Sequence, residues 1–225
     1  MNTVMVKHLM LKDWYLLRPA ILAYLLMGAV ATILLQAGSE GAFYAGSVLL
    51  ITVVMAVGFH MVMLTVVTER TEHTLPFVMS LPISLTEYTA AKILANVLIF
   101  LVSWLVLLLG PITVIAVVPE IPDGLIPFIA VIMGEIFVNY CLLLAVALVT
   151  ESQGWAIGVM ITGNLGFQAF LYWVSHLPGV DAANKSVTLV WHHSIVLLLV
   201  AEVVVILLLL GLTFLLQGRK RDFVV

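Results

Sequence analysis

The sequence predicts an all-α membrane protein: six transmembrane helices, an N-terminal interfacial helix and one short extra helix on the cytoplasmic side. Three observations predict this. Of the 225 residues, 64% are hydrophobic, with a mean hydropathy of +1.24. Charged residues make up only 9%, against about 25% in soluble domains, which leaves no room for a sizeable soluble domain. The apolar residues also fall into six stretches that can each cross a core roughly 30 Å thick, which takes about 20 residues. They run near 17–36, 44–67, 88–118, 125–150, 155–175 and 194–217. In lipid every backbone N–H and C=O needs an internal partner, so each stretch is expected to be helical. Together they form a single six-span domain over 1–225.

The N-terminal residues interleave Val4, Leu9, Leu11, Trp14 and Leu17 with Lys7, His8, Lys12 and Asp13. This pattern predicts an amphipathic interfacial helix over about 3–15; the plainer reading is an irregular polar lead-in. With no small-residue cleavage site, the segment reads as retained and not as a cleaved signal. The third stretch is too long for one perpendicular crossing, so it is tilted, kinked at Pro111 or interfacial at one end. The single cysteine, Cys141, lies in an apolar stretch, which excludes a disulfide framework. The net charge of −3 gives no sign of a nucleic-acid partner.

Lysine and arginine set the orientation. Lys7, Lys12, Arg18, Arg70, Lys92, Arg219, Lys220 and Arg221 fall on one side of the six spans and only Lys185 on the other. The positive side is cytoplasmic, so both termini and the 69–87 connection are expected inside a plasma or inner cell membrane. Trp14, Tyr15 and Trp155 then suit the inner interface, and Trp173 and Trp191 the outer one.

The connection after the second stretch reads "ERTEHTLPFVMSLPIS" from Glu69 to Ser84. Its first residues are expected to stand in water. Thr74 can cap a short helix with Pro76 in its first turn, and Pro82 disfavours helix at Leu81. About 9 Å of helix results, at 1.5 Å per residue. A helix so short is unstable alone in water, so Leu75, Phe77, Val78 and Met79 need a cover, either the lipid interface or a groove in a cytoplasmic protein. In the second case Glu69, Arg70, Glu72 and Glu87 would form a polar rim around an apolar anchor. "SLTE", Ser84 to Glu87, is a capping-box pattern that can start the third long helix.

The segment "ERTEHTLPFVMSLPISLTEYTAAKILAN" resembles the corresponding region of ABC-2-type transporter permeases, through Glu69, Thr74, Leu75, Ser80, Leu81, Pro82, Glu87 and Lys92. It departs from the family pattern at His73, where many members carry glycine. The opening "HLMLKDWYLLRP" and the six-span topology are similar too, so the resemblance covers the whole chain. It implies that the short helix is a coupling helix, docked on a separate ABC ATP-binding subunit through Glu69, Glu72, Thr74, Leu75, Phe77, Val78, Met79 and Ser80. It also implies an exporter in which two copies, or this chain and a homologue, pair with two such subunits. Mg-ATP would be bound by the partner. No cofactor and no catalytic role are expected in this chain, which lacks the G-x-x-x-x-G-K-[ST] phosphate loop.

Polar residues inside the spans mark further candidates, because buried carboxylates in lipid are costly and are functional hypotheses by default. Glu135 lies near mid-span with Asn139 one turn on; Glu202 lies in the sixth stretch. Either could equally be a protonated or paired group holding helices together. In the fifth stretch Gly154 and Gly158 form a G-x-x-x-G pattern suited to close helix packing, Gly163 and Gly166 keep the span slim, and Asn164 and Gln168 share a face. In the resembling family the first, second and fifth spans border the dimer interface and substrate path. Gly154, Gly158, Asn164, Gln168, Glu135 and Asn139 are therefore the candidates for that role. His192 and His193 could hold a metal outside or belong to an ordinary polar loop.

Two other functions compete with the exporter. A substrate-binding subunit of an energy-coupling uptake transporter predicts a solute pocket closed by outer loops. An intramembrane enzyme predicts a catalytic pair at one depth. His60 is the only histidine within a span, and no H-E-x-x-H motif and no facing Ser–His pair is readable.

Overall fold

A computed structural model of the chain describes residues 3–72, 84–184 and 186–218. Among these residues all regular structure is helical. Helices α1 (Thr3–Leu35) and α2 (Glu40–Val62) form an antiparallel pair, and α2 continues through a π-helical stretch, Met63–Val67, into a last turn, Thr68–Thr71. Then follow α3 (Leu85–Val117), α4 (Leu125–Thr150), α5 (Gln153–Ser175), the short α6 (Pro178–Asn184) and α7 (His193–Gly218). Six of these helices are long and apolar enough to cross a membrane, which is the architecture of a multi-pass membrane protein.

Local chemistry accounts for the helix starts. Ser39 caps α2 by accepting from the Ala42 amide at 3.2 Å. The expected capping box is present at α3: the Ser84 hydroxyl accepts from the Glu87 amide at 3.3 Å, and Glu87 Oε2 accepts from the Ser84 amide at 2.9 Å. α3 runs on as helix through Pro111, and α1 runs on through Pro19.

α2 and α4 form the centre of the bundle. Of the most apolar window of each, 56% is buried, against 11% for α5 and α7, which makes α5 and α7 the outer helices. α1 packs on α2 and α3, and α7 packs on α4 and α3. Aromatic contacts tie α3 to α4: the Phe100 and Tyr140 rings stack at 3.8 Å, and the Trp104 indole donates to the Met133 carbonyl at 2.8 Å.

Two features go beyond what the sequence announced, one at the N-terminus and one in a connection. Residues 3–15 are helical, but they are the first turns of one helix that reaches Leu35. Their amphipathic character is met partly inside the protein. Val6 and Leu9 are buried against Tyr88 and Ala91 of α3, while Val4, Leu11 and Trp14 stay exposed. The third connection at the far end contains α6. Val180 and Ala183 of α6 pack with Val131, Val174 and Ile195, and the Gly124 amide donates to the Ser186 carbonyl at 3.1 Å. Gly124 is required here, since a Cβ would lie 1.9 Å from the Ala183 carbonyl oxygen.

Candidate functional site: a charged knot and a polar groove

The most concentrated chemistry lies where α1 begins, α2 ends and α3 begins. Asp13, Glu69 and Lys92 come from three helices and are 1%, 7% and 1% exposed. An ammonium has three protons to donate, and Lys92 Nζ uses all of them. It reaches Asp13 at 3.0 and 3.1 Å, Glu69 Oε1 at 2.8 Å and the Thr65 carbonyl at 2.8 Å. Lys12, half exposed, also donates to Glu69 Oε1, and the buried Tyr88 hydroxyl donates to Glu69 Oε2 at 3.1 Å. Among the described residues, two ammonium groups thus face two carboxylates.

The backbone takes part in this arrangement. The Thr65 carbonyl that receives Lys92 belongs to the π-helical stretch, a local widening often found at functional positions. The Thr65 hydroxyl lies 2.9 Å from Asn96 Oδ1, whose amide nitrogen donates to the Lys92 carbonyl at 3.0 Å. Burial pushes the Glu69 carboxyl up, but Lys92 and Lys12 beside it outweigh that and hold it below the usual glutamate range. The knot holds no nucleophile and base pair. What it can do is lock α1, the end of α2 and α3 to one another where the 73–83 connection leaves and returns.

Glu69 was expected to stand in water; its carboxylate instead faces inward, where it accepts from Lys92, Lys12 and Tyr88. Glu72 is exposed, as expected. Thr74, Leu75, Phe77, Val78, Met79 and Ser80 lie outside the described residues.

The mid-span candidates divide into two groups. On α4 the Asn139 amide donates to Glu135 Oε1 at 2.9 Å. Asn139 also lines a groove, of about 420 Å³, together with Asn164 and Gln168 of α5. Close approach of α4 to α5 occurs at Gly163, where a Cβ would lie 2.9 Å from Asn139 Oδ1. Gly154 and Gly158 do not serve that purpose within the chain. A Cβ at Gly158 meets nothing within 4 Å, and one at Gly154 meets only the Ser152 hydroxyl at 3.7 Å. Among the described residues nothing packs closely on the G-x-x-x-G face.

Glu202 of α7 is 6% exposed and points at Gly134 of α4, where a Cβ would lie 2.0 Å from its Oε2. Neither carboxyl oxygen has a hydrogen-bond partner among the described residues, so of the two expectations for this residue the paired one is not met there. The His192 ring packs on Gly179 at 2.3 Å from a would-be Cβ, and its Nδ1 accepts from the Ser194 amide at 3.3 Å. Among the described residues no three His, Cys, Asp or Glu side chains gather into a metal-binding group.

Sequence reasoning missed the knot as a unit. The signal was present: in a chain with so few charges, Asp13 and Lys92 both fall inside long apolar helices. Compared with protein-family models, curated proteins and solved structures, the chain finds no match in any of the three.

Proposed function

We propose that this chain is the permease subunit of an ATP-driven exporter. It would move its substrate across the membrane by alternating access, powered by a separate ATP-binding subunit that carries Mg-ATP. A second copy or a homologue would complete the translocation path, with both termini and the 69–84 connection in the cytoplasm. The observation that carries the reading is the charged knot. A short, apolar connection that transmits force needs rigid anchors at both ends. Here the two ends are Glu69 and the start of α3, which Tyr88 and Lys92 hold to that same carboxylate. Motion of the connection would then be passed to α1, α2 and α3 together instead of being lost in a flexible loop. The G-x-x-x-G face on α5 supports pairing with a second permease, since association of helices in lipid depends on close packing of small residues.

The test is purification of the tagged chain from its native membrane in mild detergent. The reading expects a co-purifying ATPase, and expects Phe77→Asp to abolish its retention while the chain still inserts. A chain that purifies without any ATPase activity, or a Phe77→Asp chain that retains it in full, contradicts the proposal.

A further inference from the structure

The groove between α2 and α5 has a composition that selects a ligand class. α2 and α5 both pack on α4 and leave a slot between them at mid-depth. Its floor is buried: Phe100, Ile136 and Phe167 are at most 2% exposed. Its mouth is exposed and polar, with Thr52 on α2 and Asn164 and Gln168 on α5. Among the described residues no Lys, Arg, His, Asp or Glu lines it. The Tyr140 ring lines the slot and stacks on Phe100, which makes the floor aromatic.

We infer that this groove binds a small, uncharged amphipathic molecule. Its apolar body lies on the aromatic floor, and a neutral polar end meets Asn164 and Gln168. A charged group would find no counter-ion in the slot and would be held away from water. The identification of this molecule as the transported substrate rests on the exporter reading; its binding does not.

The test uses the purified chain in nanodiscs and three photoreactive probes that share one diazirine-bearing alkyl chain. One ends in a primary amide, one in a phosphate and one in a trimethylammonium group. The amide probe is expected to label peptides of α4 and α5 in preference to the lipid-facing surface of α7. Thr52→Trp, which fills the exposed mouth without touching the core, is expected to abolish that preference. Gln168→Leu should weaken labelling about three- to tenfold, the loss of one hydrogen bond, with the circular dichroism spectrum unchanged. Labelling spread evenly over α7, labelling indifferent to Thr52→Trp, or stronger labelling by either charged probe overturns the inference. Because the assay contains no ATP-binding subunit, its outcome is independent of whether the exporter proposal survives co-purification.

Discussion

The same bundle buries acidic groups in two places and treats them in opposite ways. At the end where α1 and α3 begin, Asp13 and Glu69 share Lys92 and Lys12, and every proton of the Lys92 ammonium finds an acceptor. At mid-span, Glu202 lies against Gly134 with no donor among the described residues, and Glu135 has only the neutral Asn139 amide. Burying a charge costs several kcal/mol unless it is paired and hydrogen-bonded. The knot meets that condition and can remain ionic. The mid-span acids do not meet it, so their effect on the fold should come from shape more than from charge. The difference predicts how substitutions in the two places behave.

The largest effect is expected at Lys92. Lys92→Met leaves Asp13 without its main partner in a buried site and should cost about 3–5 kcal/mol, read as loss of monodisperse protein or a large drop in unfolding temperature. Smaller is the steric effect at mid-span. Gly134→Ala drives a Cβ into Glu202 and should cost about 1–3 kcal/mol, and Glu202→Ala should relieve most of it, since residues in contact do not add. Smaller again is Glu202→Gln, a neutral substitution of nearly the same shape. It should change stability by less than about 1 kcal/mol, whereas the same change at Glu69 should be clearly destabilising.

Acid separates the two regions as well. Glu69 is held below its ordinary range, so its contribution is complete above the unfolded value of about 4.3 and is lost as the pH falls below that. Unfolding followed from neutral pH down to about pH 3 should therefore weaken the wild-type chain more than a Glu69→Gln chain. The smallest effect on the fold is expected at Gly158. With open space around it, Gly158→Leu should leave the single chain within about 0.5 kcal/mol of wild type. On the exporter reading it should nonetheless weaken pairing of two permeases more than Gly211→Leu does, as measured by cross-linking of cysteines placed at position 164.

Much of this architecture was legible in the sequence, because hydrophobic length and local capping are local properties. Four of the six helices both begin and end within three residues of the apolar stretches that announced them, and Ser84 and Glu87 form the capping box that their spacing implied. What was not legible depends on distant pairs. Asp13 and Lys92 are 79 positions apart, and nothing in the run "VKHLMLKDWYLL" says that its polar side meets α3 as well as water. For that reason the sequence suggested an interfacial helix leading into the first span and gave no sign of its packing on α3. The same holds for Glu69, whose surroundings in the sequence are those of an exposed loop. The π-helical stretch at Met63–Val67 carries no sequence signal at all. By contrast α6 did carry one, a proline at the first helical position, masked by the polar composition around it. The groove required knowing that α2 and α5 are separated by α4, which hydropathy does not encode.

The central claim is that Asp13, Glu69 and Lys92 act as one unit that locks α1, the end of α2 and α3 together. A double-mutant cycle tests it most directly, with Lys92→Met and Asp13→Asn made singly and together and unfolding free energies measured in the same detergent. If the account is right, the single changes are each costly and the double change is less costly than their sum by at least about 2 kcal/mol, within the range seen for residues in one ionic network. If the two effects add to within about 0.5 kcal/mol, as they do for distant independent sites, the knot is not a unit and the account is contradicted.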